Sequence, residues 1–301
     1  MPISAQSHKL YDRPWLLLAL CALFWAGNAV AGKLAIGQIS PMTLTCARWT
    51  CACLLLAMIM PRRLAADFII IRPRLPFVLA MGMLGFTGFN AFLYLAALHT
   101  NGVNLLIIQG AIPVLILVAA GLLRHERVGH LQIMGVGLTM VGVAVTATQG
   151  HLERLLDLKL NIGDLMMLGA SLCYALYALL LRRRPPVSGL SLLFYLSIGG
   201  ALSAGLALLV EINQGASFFP TPKGLAILAY CILFPSILSQ VFFLRGVELI
   251  GAARAGLCVN LIPVFGALLM VLAGEPFLWS HAVALILVLS GVAVAEQAKQ
   301  R

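Results

Sequence analysis

Apolar residues in this chain come in ten long, nearly unbroken runs, at about 14–35, 41–60, 75–98, 102–123, 128–148, 163–182, 189–211, 223–249, 252–273 and 278–297. They are numbered here as segments one to ten. About 20 consecutive apolar residues cross a bilayer as a helix, and a helix satisfies every backbone polar group internally. The strands of a membrane barrel would alternate apolar and polar positions instead. The pattern therefore predicts an all-α membrane protein with ten transmembrane helices. The stretches 61–74, 149–162 and 212–222 are expected to be its longer loops. Segment one begins after a polar N-terminus, shows no A-x-A cleavage site and contains Asn28 and Lys33, so it reads as a retained span rather than a signal peptide.

Composition agrees: 61% of residues are hydrophobic and 10% charged, against about a quarter charged in a soluble domain. That excludes a soluble enzyme, a disordered chain and a nucleic-acid binder of the basic-patch kind. The net charge of +10 has a positional explanation. Lys9, Arg13, Arg62, Arg63, Arg72, Arg74, Arg124, Arg127, Arg182, Arg183, Arg184, Arg254, Lys299 and Arg301 fall on one side of the predicted topology, and only Arg154, Lys159 and Lys223 on the other. The positive-inside rule then places both termini in the cytoplasm.

The two halves match at a fixed offset. Pro113 and Pro263 lie 150 residues apart, as do Asn90 and Gln240; Glu126 and Glu275 lie 149 apart, as do Gly142-Val143-Ala144-Val145 and Gly291-Val292-Ala293-Val294. The expected units are residues 14–148 and 163–297, joined by a loop at 149–162. Each holds five helices, an odd number, so the second is inserted upside down relative to the first. Inverted repeats of this kind mark secondary transporters, with the substrate at mid-membrane on the repeat interface.

These residues carry a family resemblance. Trp25-Ala26-Gly27-Asn28 through Lys33, Arg48-Trp49, Asn90, Tyr94 and the series Pro113, Glu126, Gly142, repeated as Ala253-Arg254-Ala255, Pro263, Glu275 and Gly291, resemble the EamA type of the drug/metabolite transporter superfamily. Within it the chain is most similar to bacterial exporters of amino acids, aromatic ones included, and of related metabolites. The resemblance implies two inverted five-helix repeats around a central cavity, with helices five and ten packed together away from it. It also implies export across the inner membrane by alternating access, with no cofactor. His281 departs from the pattern, standing where the family often has glutamine.

Polar and aromatic residues inside the spans are the candidate substrate-binding set, because each is costly in hydrocarbon unless paired or cavity-facing. Asn28, Asn90 and Gln240 read as cavity-lining partners or as glue between helices. Arg48 is either a ligand for a substrate carboxylate or an arginine that snorkels or caps a helix. Trp25 is too deep for an interfacial belt; with Tyr94, Tyr174 and Tyr177 it is expected to line a cavity suited to an aromatic or amphipathic substrate. Pro113, Pro235 and Pro263 each free a backbone carbonyl and bend a helix, as hinges or as static kinks. Arg245 and Glu248 are spaced to pair. Small residues at Gly142, Thr146, Gly291 and Ala295 would pack helix five on helix ten or form a homodimer interface, so the protein is expected as monomer or homodimer.

No metal site is expected: the six histidines and the seven cysteines lack ligand spacing. The chain shows no Walker A sequence, HExxH or GxGD, so no catalytic residue is assigned. The expected partners are a small-molecule substrate and the lipid bilayer, with no nucleic acid. Alternative cargoes are drugs or nucleotide sugars, and a lipid scramblase is a further alternative.

Overall fold

The computed structural model describes residues 11–100, 102–124, 129–156, 161–272 and 277–297. Glu126 and Glu275, expected to cap helices five and ten, lie outside the described residues, as does the side chain of Lys33. Among the described residues the chain is helical, without strands. Seven helical runs are long and apolar enough to cross a membrane: Pro14–Gly32, Pro41–Ile59, Pro61–Ala96, His130–Ala147, Ile162–Arg183, Gly189–Asn213 and Pro222–Ile250. Three shorter apolar helices, Ile108–Ala119, Arg254–Leu269 and Trp279–Ala295, fall on segments four, nine and ten. The protein is a multi-pass membrane protein.

Segments four and nine are each interrupted. Segment four is Gly102–Gly110 and Ile112–Arg124 with a turn at Ala111; segment nine is Ala252–Leu257 and Leu261–Leu272 with a 3₁₀ turn, Cys258–Asn260, between them. Pro113 and Pro263 stand just after these breaks. Segments three and eight share a different irregularity. Each contains a π turn, Met83–Gly88 in one and Ile232–Leu238 in the other. Pro235 sits inside the second, and Asn90 follows the first. π turns concentrate at functional positions, and here both fall at matching positions of the two repeats.

The packing is two-fold in the same sense. Segment five lies along ten and two along seven; three packs on six as one packs on eight; and one meets the second half of nine as six meets the second half of four. A Cβ on Gly135 would sit 2.5 Å from the Gly291 carbonyl oxygen, and one on Gly291 would sit 2.5 Å from that of Gly135. Only glycine permits this approach of helix five to helix ten. The small faces expected on these helices therefore pair within one chain. Even the departure at His281 keeps the symmetry. Gln132 Oε1 accepts from the Gly129 backbone N–H at 3.2 Å, and His281 Nδ1 accepts from the Leu278 N–H at 3.4 Å. Gln132 and His281 thus do the same job at the starts of helices five and ten.

The ends of the bundle show which way each repeat runs. At one end Arg245 pairs with Asp12 at 2.6 Å and with Glu248 at 2.9 Å, while Glu248 also binds Arg184 at 2.6 Å. Asp12 precedes segment one, whereas Arg184 follows segment six. The equivalent helices one and six therefore run in opposite directions. Arg74 donates to the Arg183 carbonyl at 3.4 Å at this same, arginine-rich end. At the opposite end Thr221 donates to Gln38 Oε1 at 2.6 Å, and Glu211 Oε1 accepts from the Met42 N–H at 3.1 Å, tying segment seven to the start of segment two.

One expectation is corrected. Residues 61–74 are not a loop: Pro61–Ile71 is an α-helix, continued by a 3₁₀ turn, Arg72–Arg74, into segment three. Pro61 occupies the first helical position, where its missing N–H costs nothing. Leu64 and Ile71 anchor one side of the helix in the bundle.

Candidate functional site

The predicted residues converge, in two layers, near the middle of segments one, two, three, six and eight. The first layer is polar and centres on Arg48. Seven residues from the start of its helix, Arg48 lies about 10 Å deep at 1.5 Å per residue and is only 3% exposed. Its Nε donates to Ser236 Oγ at 2.8 Å and its Nη1 to Asn28 Oδ1 at 3.3 Å. Its guanidinium also lies 5.0 Å from the Trp49 ring centroid. Tyr94 faces Arg48 and Thr45 through its hydroxyl. Cys231 donates its thiol hydrogen to Asn28 Oδ1 at 3.4 Å, and Ser236 Oγ donates to the Cys231 carbonyl at 2.6 Å. That last bond reaches back five residues, across the π turn, so the turn is what aims Ser236 at Arg48.

The second layer is aromatic. Trp25 meets Tyr174 edge-on at 5.9 Å and Phe243 at 5.4 Å; Tyr174 meets Phe89 and Tyr177 at 5.6 and 5.8 Å. Trp25 Nε1 donates to the Pro235 carbonyl at 3.4 Å, again within the π turn. Tyr177 donates to Gln240 Oε1 at 3.3 Å. Asn90 donates to the Phe86 carbonyl, four residues back on its own segment. Tyr174, Tyr177, Gln240 and Asn90 are all buried, and the hydroxyl of Tyr174 has no hydrogen-bond partner among the described residues. The aromatic residues expected to line a cavity are here packed on one another.

Among the described residues no carboxylate lies within ion-pair distance of Arg48. The ion pairs they contain are His151–Glu153 and the network of Asp12, Arg184, Arg245 and Glu248. The polar layer thus offers a desolvated guanidinium held by neutral groups. A guanidinium fork matches a carboxylate in geometry and charge. Burying an unpaired charge is expensive, and such a site is relieved by binding an anionic group.

The two bundle ends lie outside this centre. Arg245 and Glu248 pair as their spacing predicts, and Tyr11 stacks 4.9 Å from the Arg245 guanidinium. Partial burial of the Tyr11 phenol, followed by the nearby Glu248 charge, raises its pKa. At the opposite end Asp164 is a buried carboxylate that the sequence reading missed. It accepts from Thr100 at 2.6 Å, from the Asn104 amide at 2.8 and 2.9 Å and from the Asn161 N–H at 2.9 Å. The signal was present: an asparagine three residues ahead of an acid is a helix-start pattern. Its bonds to segments three and four, far away in sequence, were not legible. His99 lies beside this cluster, and His151 binds Glu153 in the exposed loop. Among the described residues no group of three or more metal-ligating side chains occurs.

Seven membrane-length helical runs and three shorter apolar ones, in two inverted halves with a polar, π-turn-built centre, have the architecture of a membrane transporter. The comparisons give the family: the EamA-like transporter family matches residues 13–148 and again 161–296. The chain belongs to that family. Its relatives include the uncharacterized transporter YyaM of Bacillus subtilis (strain 168), 25% identical over 283 residues, covering 93% of this chain and 92% of that protein. The uncharacterized transporter YetK of the same organism is 24% identical over 285 residues, covering 93% and 86%. A solved crystal structure superposes with a TM-score of 0.77 at 21% identity, over 95% of this chain and 97% of that one, which shows the fold.

Proposed function

We propose that the protein exports small carboxylate-bearing metabolites, foremost amino acids including aromatic ones, across the bacterial inner membrane. All ten segments cross the bilayer, both termini are cytoplasmic, and the two repeats exchange conformations to alternate access. The observation that carries this reading is Arg48, 3% exposed, bound to Ser236 and Asn28 and without a carboxylate among the described residues. The substrate carboxylate occupies that position. Trp25, half-buried and bonded to the same π turn that holds Ser236, is the aromatic side chain for the rest of the molecule, backed by the buried Tyr174 and Tyr177.

The rival cargoes fit less well. A nucleotide sugar brings a diphosphate and needs several cations, whereas Arg48 is the cation in contact with this centre among the described side chains. A lipophilic cation would meet Arg48 as a like charge. The test is flux in liposomes. Purified protein is expected to move labelled amino acids down a gradient, and a panel in which only drugs or nucleotide sugars move contradicts the proposal.

A further inference from the structure

The helix Pro61–Ile71 is anchored on one side only. Leu64 and Ile71 are buried, the Leu64 carbonyl accepts from the Tyr195 hydroxyl at 2.9 Å, and Phe68 stacks on Tyr195 at 6.1 Å. Its other side is exposed and apolar in the middle, with Ile69 76% and Ile70 44% exposed. Arginines bracket that patch: Arg62 and Arg63 at the start, Arg72 and Arg74 in the following 3₁₀ turn. The helix joins the end of segment two to the start of segment three on the arginine-rich end, which is headgroup depth on the membrane reading of the fold. A basic amphipathic helix at that depth has the composition of a surface that binds anionic lipid.

The two ends of this helix are not equivalent. At the Arg72 end, Phe68, Ile69, Arg72 and Pro73 line a groove of about 450 Å³. Arg74 reaches the Arg183 carbonyl there, which adds the basic run after segment six to the same place. At the other end Arg62 is ten residues away, about 15 Å along a helix, further than one headgroup reaches.

We infer that this groove is a binding site for one anionic phospholipid. The lipid phosphate sits on Arg72, in the positive field of Arg74 and Arg183, and an acyl chain lies along Phe68, Ile69 and Pro73. The site requires only that the bundle spans a membrane, whatever substrate it carries. It therefore fails or stands separately from the exporter assignment.

Native mass spectrometry of the purified full chain, titrated with phosphatidylglycerol or phosphatidylcholine, tests it. Wild type is expected to retain phosphatidylglycerol in preference to phosphatidylcholine. Arg72→Gln should lower phosphatidylglycerol affinity roughly 5-fold, the worth of one basic residue at an anionic surface, and should leave phosphatidylcholine unchanged. Ile69→Ser should weaken both lipids together. Arg62→Gln, at the far end of the helix, and Arg154→Gln, at the opposite end of the bundle, should change neither; both serve as folding-matched controls, checked by melting temperature. Equal binding of the two lipids by wild type, or equal losses for Arg72→Gln and Arg62→Gln, would overturn the site.

Discussion

Arg48 Nε donates to Ser236 Oγ at 2.8 Å and so joins the second helix to the π turn of the eighth. Ser236 in turn donates to the Cys231 carbonyl five residues back. A regular helix would not present that carbonyl to this hydroxyl. The position of Arg48 thus depends on the irregularity of segment eight. Replacing Ser236 with alanine removes one neutral partner and leaves Asn28. Substrate affinity should fall by a few-fold, about 1 kcal/mol for one hydrogen bond, with the melting temperature nearly unchanged. The apparent KM for flux checks it.

The aromatic layer makes a larger claim. Trp25→Ala deletes the edge contacts to Tyr174 and Phe243 and the bond to the Pro235 carbonyl. Truncating a large aromatic in a packed interior costs about 3–5 kcal/mol, so both stability and transport should drop. Trp25→Phe keeps most of the packing and loses only the donor, so transport should fall further than stability. His151→Ala, in the exposed loop, should affect neither. Flux and melting temperature on the same preparations separate these outcomes.

Helix five against helix ten gives a prediction of sign. Gly135→Ala places a methyl 2.5 Å from the Gly291 carbonyl and should destabilise by about 1–3 kcal/mol, the cost of overpacking. Gly137→Ala, two residues on, meets nothing within 4 Å. It should be neutral or stabilising by up to about 1 kcal/mol, because alanine favours the helix. Thermal unfolding in detergent reads both.

At the arginine-rich end Glu248 holds Arg184 and Arg245 at once. Glu248→Gln breaks both pairs. Partly exposed pairs are worth up to about 1 kcal/mol each, so the fold should survive. The balance should shift toward opening at this end. In a chain whose only cysteine is Cys21, buried in segment one, maleimide labelling should be several-fold faster in the variant, by about the factor that 1 kcal/mol represents.

Much of this architecture was legible in the sequence. Apolar runs fixed the segments, the 149–150-residue offset fixed the repeat, and the spacing of Arg245 and Glu248 fixed their pair. Other features were not legible, for identifiable reasons. Pro61-Arg62-Arg63 looks like a stop, yet proline equally suits a helix start, so the pattern alone does not distinguish a loop from the helix Pro61–Ile71. The π turns depend on where bonds skip by one residue; Pro235 hints at the second, and Gly85 and Gly88 only weakly at the first. Asp164 and Glu211 carry their meaning in contacts with segments far away in the chain. Trp25, Tyr94, Tyr174 and Tyr177 stand out in the sequence as deep aromatic residues, but the close mutual packing of Trp25, Tyr174 and Tyr177 is a tertiary fact that no spacing encodes.

Topology is checked independently of transport. Reporter fusions at Asp67 should report the cytoplasm and at Leu155 the outside. The reverse assignment would overturn this topology.

The central claim is that Arg48 receives a substrate carboxylate, and one comparison addresses it directly. Counter-flow uptake of an aromatic amino acid and of its carboxamide is measured in liposomes for wild type and Arg48→Gln. Wild type should prefer the free acid by at least roughly 10-fold, in line with a charge-assisted pair of about 1.5–3 kcal/mol, and Arg48→Gln should lose that preference while still folding. Equal transport of acid and amide by wild type, or an unchanged preference in Arg48→Gln, would contradict the account.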